Sequence, residues 1–327
     1  MLDLRRYVRE LLKERGLDAD ERDLERIVAD LERWNRRVYK PGTVRTADGS
    51  WTLVSPEYGE PYHSITAGAV TECISKFVKP SRILERVKIK GEVRILDLGF
   101  GLGYNTAVAL TEIMRTFPDA RVEIVALDLR IPESVPPLPD PYGEIHRKLL
   151  SSLPFYKSEN VRVYLLLGDA RRRIHEVLGF EADAVFHDPF SPFKNPELWT
   201  LEFLSLVRET LSREGIWVSY TSALPVRRAL LDLGFNVGES DPVGRRRGGT
   251  VASLEGEVPK LSQEMLFKLK TSPYSVPFTD PDLSWDALRI LAEYRVSVLL
   301  REKEASSEGK RGQYRGPPSE GKLSGSR

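Results

Sequence analysis

The stretch Val93 to Ala107, V-R-I-L-D-L-G-F-G-L-G-Y-N-T-A, constrains the fold more tightly than any other part of this 327-residue chain. A branched apolar run (Val93, Ile95, Leu96, Leu98) stops at three alternating glycines, Gly99, Gly101 and Gly103, and a helical pattern starts at about Asn105. The pattern predicts a buried strand turning sharply into a helix. Glycine permits so tight a turn and lets a ligand rest against the backbone, and the free amides of the first helical turn then point at whatever is bound.

The spacing is G-x-G-x-G, and Tyr104 stands where a dinucleotide-binding fingerprint would carry its last glycine. That favours S-adenosylmethionine, which has no pyrophosphate, over NAD, although an ordinary tight turn would use the same glycines. Downstream, strands expected at 122–129, 161–167, 184–187 and 216–220 alternate with helical or loop segments, the helices including 198–212 and 225–233. A last strand is expected at 250–254 and a last helix at 283–302. Such alternation implies an α/β fold, a mostly parallel sheet covered by helices on both faces, with ligands at the carboxyl ends of the strands.

Residues 1–42 read as a helical extension, two short helices broken at Gly16, the second with an apolar stripe through Leu24, Ile27, Val28, Leu31, Trp34 and Val38 that implies docking onto a neighbour. The other face, with Arg22, Arg26, Arg33, Arg36 and Arg37 among acids, reads as a solvated surface more than as an RNA-binding one. The main domain is expected at 43–304. It begins with a hairpin, Val44–Thr46 against Trp51–Val54 around Asp48-Gly49, followed by a helix over 67–78. Residues 305–327, rich in Ser, Gly, Lys and Arg, are expected to form a disordered basic tail.

A single cysteine and four scattered histidines argue against disulfides and a bound metal. A charged N-terminus and the lack of a long apolar run predict a cytoplasmic protein without a membrane partner. The net charge of +1 announces no global nucleic-acid affinity but leaves room for a local basic face. Charged residues at 30% with few amides suit a thermophilic protein.

Three positions carry the expected chemistry. Asp128, ending the second strand, is placed to accept the ribose hydroxyls of an adenosine, or to pair with Arg130. Asp169, in Gly168-Asp169-Ala170, is placed to hold an adenine amino group with Ala170 leaving space for the ring, or to cap the helix from Arg171. Most distinctive is Ala182–Thr200, A-D-A-V-F-H-D-P-F-S-P-F-K-N-P-E-L-W-T. A buried strand delivers Asp188 to the sheet edge, and Pro189, Pro192 and Pro196 stiffen a loop bearing Phe190, Phe193 and Lys194. An acid followed by proline and an aromatic resembles the D-P-P-Y loop of methyltransferases acting on exocyclic nitrogens; a stiff packing loop is the plainer alternative.

Ordered motifs extend the likeness: Asp48-Gly49-Ser50, Tyr62-His63-Ser64, Leu96–Asn105, Gly168–Arg171, Asp188–Pro192, Lys194-Asn195-Pro196, Val226-Arg227-Arg228 and Gly244–Arg247. Over about residues 44–301 the chain resembles the methyltransferase part of the MnmC tRNA wobble-uridine enzymes, and more closely its stand-alone relatives. The resemblance implies a Rossmann-like class I fold with a seven-stranded sheet. It also implies S-adenosyl-L-methionine as cofactor and a tRNA anticodon stem-loop as partner. The implied reaction methylates the amine of 5-aminomethyl(-2-thio)uridine at position 34. On that basis Gly99, Gly101, Gly103, Asn105 and Asp128 hold the cofactor, Asp169 and Ala170 meet its adenine, and Tyr62 and His63 close over the site. Asp188, with Pro189 and Phe190, sits beside the acceptor amine, and Asp188 also contacts the cofactor. The chain departs from many family members at Pro189, Phe193 and His187, all on the acceptor side. No flavin domain of the kind found in the fused enzymes is expected.

An alkylamine attacks only when neutral, so burial beside Phe190 and Phe193 is expected to lower its pKa, while Asp188 orients it and receives its proton. Trp51 and Trp199 are candidates for base stacking or, for Trp199 above all, core packing. Phe193, Lys194, Arg245, Arg246 and Arg247 are candidate RNA contacts, the arginines reading equally as a solvated charge run. The competing functions are an aminopropyltransferase-like enzyme, another small-molecule N-methyltransferase, and a non-catalytic tRNA-binding protein.

Overall fold

The computed structural model describes residues 3–244 and 248–313. Its first helices, α1 (Leu4–Glu14) and α2 (Glu21–Asn35), are capped by Asp3 and Asp20, whose carboxylates accept N–H bonds from Arg6 and Asp23. Their buried stripe (Val8, Leu11, Leu12, Leu24, Ile27, Leu31) belongs to the same core cluster as the last helix. The expected extension is therefore packed into the body of the molecule, except for Val38, which lies beyond the end of α2 and is exposed, so the docking stripe stops at Trp34.

Strands β1 (Gly42–Arg45) and β2 (Trp51–Val54) form the expected hairpin, in the register Val44 to Thr52 and Arg45 to Trp51. Asp48 in its turn accepts hydrogen bonds from Thr46, Ser50 and the backbone of Thr71. Burial pushes its carboxyl up, but these bonds prevail and bring it down to about 2, so a charged Asp48 pins the hairpin to the next helix. That helix, α3 (Ala69–Glu72), continues as a π-helical turn, Cys73–Val78. Next come α4 (Ile83–Lys90), β3 (Glu92–Leu98), α5 (Tyr104–Thr116), β4 (Arg121–Asp128) and α6 (Gly143–Ser151). They are followed by β5 (Phe155–Lys157), β6 (Val161–Leu167), α7 (Ala170–Arg173), β7 (Ala182–His187), α8 (Leu201–Thr210), β8 (Leu211–Ser219) and α9 (Leu224–Asp232). Then β9 (Asn236–Glu239), β10 (Thr250–Ser253), α10 (Gln263–Thr271) and α11 (Ala287–Gln313) complete the described chain.

The main sheet has the order β5-β6-β4-β3-β7-β8-β10-β9. Its five central strands are parallel, and β5, β10 and β9 pair antiparallel at the edges. This is the Rossmann-like α/β fold expected, with one strand more than seven. The addition, β5, is three residues of mostly exposed edge after Pro154, too short to announce itself by periodicity. The chain runs outward from β3 through β4 to β6, then crosses to β7 on the other side, which opens a crevice at the carboxyl ends of β3 and its neighbours.

Element boundaries shift from expectation by a few residues, and two of the shifts are the largest. Strand β8 starts at Leu211, directly after α8, where the sequence reads as helix. Helix α11 runs to Gln313, nine residues into the stretch expected to be a disordered tail. Residues 314–327, and the RNA-contact candidates Arg245, Arg246 and Arg247, lie outside the described residues.

Candidate active site

Backbone hydrogen bonds gather the strand ends at one edge: Gly99 N–H donates to Leu127, Gly168 to Asp128 and Asp188 to Leu98. The bend after β3 needs its glycines for two separate reasons. Gly99 has φ +89°, and a Cβ there would lie 2.7 Å from the carbonyl oxygen of Asp188. Gly101 has φ +55°, and a Cβ would press the Tyr62 ring at 2.9 Å. A cavity of about 560 Å³ opens over this bend, reaching the ends of β4, β6 and β7.

Asp128 lines the cavity and accepts the Gly101 N–H at 2.7 Å and the Arg130 N–H at 3.2 Å. Burial raises its pKa against those bonds. Arg130 itself pairs with Glu57, so the alternative partner for Asp128 is engaged elsewhere. Asp169 also lines the cavity, but its carboxylate caps α7 at Arg171 N (3.0 Å) and grips the Arg171 side chain at 2.8 Å. Burial works against it, yet the Arg171 guanidinium holds Asp169 below the usual carboxylate range. The capping reading of Asp169 is thus the one its bonds display, in a side chain that also borders the cavity. Ala170 stands beside it in the wall.

Asp188 is partly buried at the cavity floor, its Oδ2 accepting from the Asn105 amide at 2.7 Å. Burial, with the charge of Glu72 added, pushes its pKa well above the ordinary range, only partly offset by Asn105. The loop that follows is held from three sides. Tyr220 Oη donates to Pro189 O at 2.9 Å, Trp199 Nε1 to Phe190 O at 2.9 Å, and Ser191 Oγ to Glu60 Oε1 at 2.7 Å. Phe190 stacks on Tyr58 with centroids 4.3 Å apart and meets Tyr62 edge-on at 4.9 Å. His63 reaches the cavity wall, buried and stacked on Tyr104 at 5.0 Å.

Several expected residues act from behind. Asn105 and Gly103 do not line the cavity: Asn105 sets Asp188, and a Cβ on Gly103 would strike Phe100 at 2.7 Å. Phe193 and Lys194, expected at the acceptor, point away from it. Phe193 packs against Trp34 (4.8 Å), Phe278 and Tyr294, and Lys194 Nζ donates to the Arg36 carbonyl at 2.6 Å. Apolar neighbours across the chain claimed the ring, a long-range fact that the loop's own sequence does not contain. Trp199 is fully buried and serves as core, whereas Trp51 is exposed on β2. His187 is buried, bonded to the Leu198 carbonyl at 2.9 Å, and burial lowers its pKa to about 3, so it is neutral packing beneath the loop.

Sequence reasoning missed Glu72, Tyr58, Glu60 and Tyr220. Tyr58 and Glu60 lie in a Pro/Gly-punctuated loop just before Tyr62, a usable signal. Glu72, 8% exposed and accepting the Ser64 N–H at its Oε2 at 2.7 Å, is one acid in a helical run and gave none.

A family model described as an S-adenosyl-L-methionine-dependent methyltransferase matches residues 143–255. A solved structure of MNMC2 from Aquifex aeolicus superposes with TM-score 0.86 at 48% identity, covering 91% of this chain and 98% of that one. An uncharacterised protein of Methanocaldococcus jannaschii is 36% identical over 64% of this chain. The tRNA 5-methylaminomethyl-2-thiouridine biosynthesis bifunctional protein MnmC of Chromohalobacter salexigens is 27% identical over 83% of it. The chain spans 58% of the archaeal protein and 42% of the bifunctional one.

Proposed function

Because the chain belongs to the MNMC2 family of S-adenosyl-L-methionine-dependent methyltransferases, we propose that it methylates the exocyclic amine of 5-aminomethyl(-2-thio)uridine at the wobble position of tRNA. The observation that carries this reading is Asp188: a carboxylate fixed by Asn105 on the cavity floor, beside the bend at Gly99, with an aromatic wall next to it.

The site's donors suit the cofactor. Gly99 and Gly101 leave the bend clear of side chains, Asp128 offers carboxylate oxygens to vicinal hydroxyls, and Asp169 with Ala170 borders room for a flat ring. When bound, S-adenosyl-L-methionine supplies an electrophilic methyl group on a sulfonium centre. The chain's residues prepare the nucleophile. Phe190, with Tyr58 and Tyr62, forms a poorly hydrated wall that favours the neutral amine. Asp188, with its raised proton affinity, is matched to receive the proton that leaves the nitrogen at Oδ1 or Oδ2. Tyr220, Trp199 and Glu60 keep the loop from drifting, so reacting atoms meet in one geometry.

Asp188→Asn keeps an acceptor for Asn105 and removes the proton acceptor. Methyl transfer followed with radiolabelled cofactor should fall by a factor of about 10²–10⁴, while calorimetry finds cofactor affinity within a few-fold of native. A fully active variant refutes the assignment.

A further inference from the structure

We infer that Arg36–Lys40, the segment leaving α2, is an RNA-binding rim: the Tyr39 ring stacks on a base flanking the acceptor nucleotide, and Arg36, Arg37 and Lys40 take backbone phosphates. The inference rests on the tRNA reading above. Its sequence, R-R-V-Y-K, interleaves cations with an aromatic, the combination that binds unpaired nucleic acid.

Placement distinguishes this segment from an ordinary solvated face. Val38 and Tyr39 line the cavity, yet they stay 71% and 46% exposed. Leu129, on the same lining, is 56% exposed and extends the apolar lip. Apolar surface left open at the mouth of a site is costly unless something covers it. A base next to the one inserted is the flat, apolar-faced group that lies nearest when RNA delivers its nucleotide.

The backbone under this lip is anchored. Tyr39 N–H donates to Gly59 O at 3.3 Å, Lys194 Nζ donates to Arg36 O at 2.6 Å, and the Arg37 stem lies so close to Gly59 that a Cβ there would sit 2.7 Å from it. The side chains of Arg36, Arg37 and Lys40 are exposed and make no ion pair with the described residues, in contrast to Arg33, which pairs with Asp30, and Arg130, which pairs with Glu57. Three cations without acidic partners on a fixed backbone around a cavity mouth offer phosphates a preorganised site.

The test uses the full chain and a synthetic anticodon stem-loop carrying 5-aminomethyluridine at the wobble position. Binding is followed by fluorescence anisotropy and methyl transfer with radiolabelled cofactor, across a salt series. The R36A/R37A/K40A variant should raise KM for this RNA at least tenfold, with the loss in KM and not in kcat. It should also flatten the log–log salt slope by about two to three units, at about 0.7–0.9 per phosphate contact. Tyr39→Ala should raise KM several-fold and Tyr39→Phe should restore it, since stacking needs the ring and not the hydroxyl. Unchanged KM and salt slope, with native protein methylating the RNA normally, overturn the rim alone. Native protein that neither binds nor methylates the RNA removes the tRNA reading and the rim with it.

Discussion

Asp97, one position before Leu98 closes β3, shows how a single side chain ties this fold to pH. It is fully buried, its Oδ2 accepts the Thr106 hydroxyl at 2.7 Å, and Oδ1 has no partner among the described residues. Burial foremost, with the charge of Asp128, raises its pKa to about 7 against the pull of Thr106. A raised carboxylate pKa means the folded state keeps its proton longer than the unfolded chain does. Its contribution to stability is full below the ordinary value of 3.8 and is lost as pH rises through about 7. Asp97→Asn keeps an oxygen for Thr106 and removes the titration. Denaturant midpoints of native protein should therefore fall relative to the variant from about pH 4 to about pH 7; parallel profiles would show that Asp97 does not titrate there. The role of Asp97 was hidden in the sequence because burial, not identity, sets it. Gly99, Asp128 and Asp188 were legible because strand, bend and acid follow one another within a few residues.

At the scale of elements, the cavity-lining loop after β7 depends on a helix that the sequence placed in a separate extension. Phe193 inserts between Trp34 of α2 and Phe278 and Tyr294, while Lys194 reaches the carbonyl of Arg36. Trp34→Ala should lower stability by roughly 1–3 kcal/mol through lost ring contact. It should also lower kcat more than cofactor affinity, because the loop carrying Pro189 and Phe190 loses its brace. Trp34→Phe should recover most of both, and equal kcat in Trp34→Ala and native protein would show that the loop stands without α2. The apolar stripe of α2 announced that it docks, but not where. Periodicity gives the face of a helix, and only long-range packing gives its partner. The same limit explains Phe193, which reads as an acceptor contact in the loop and is a wedge in the fold. It also explains β5, an edge strand without an alternating pattern.

Across the whole molecule, the parallel centre of the sheet sets four strand ends at one crevice, and helices far apart in sequence share one core. α1 and α2 share a core with α11, sealed by Arg295, 1% exposed and bonded to Asp30 at 2.8 Å, and by Arg15 bonded to Glu293 at 2.7 Å. No helix among the described residues is long and apolar enough to cross a membrane. The parallel pairing followed from the alternation of apolar runs and helices, though the order of the strands did not. Nor did the packing of α1 and α2 against α11, since contacts between residues nearly 300 positions apart leave no local pattern. Nucleoside analysis by mass spectrometry tests the central claim most directly, on an anticodon stem-loop bearing 5-aminomethyluridine incubated with the protein and S-adenosyl-L-methionine. Conversion to 5-methylaminomethyluridine, absent with Asp188→Asn, is the predicted result; unmodified 5-aminomethyluridine under conditions where calorimetry shows the cofactor bound would contradict it.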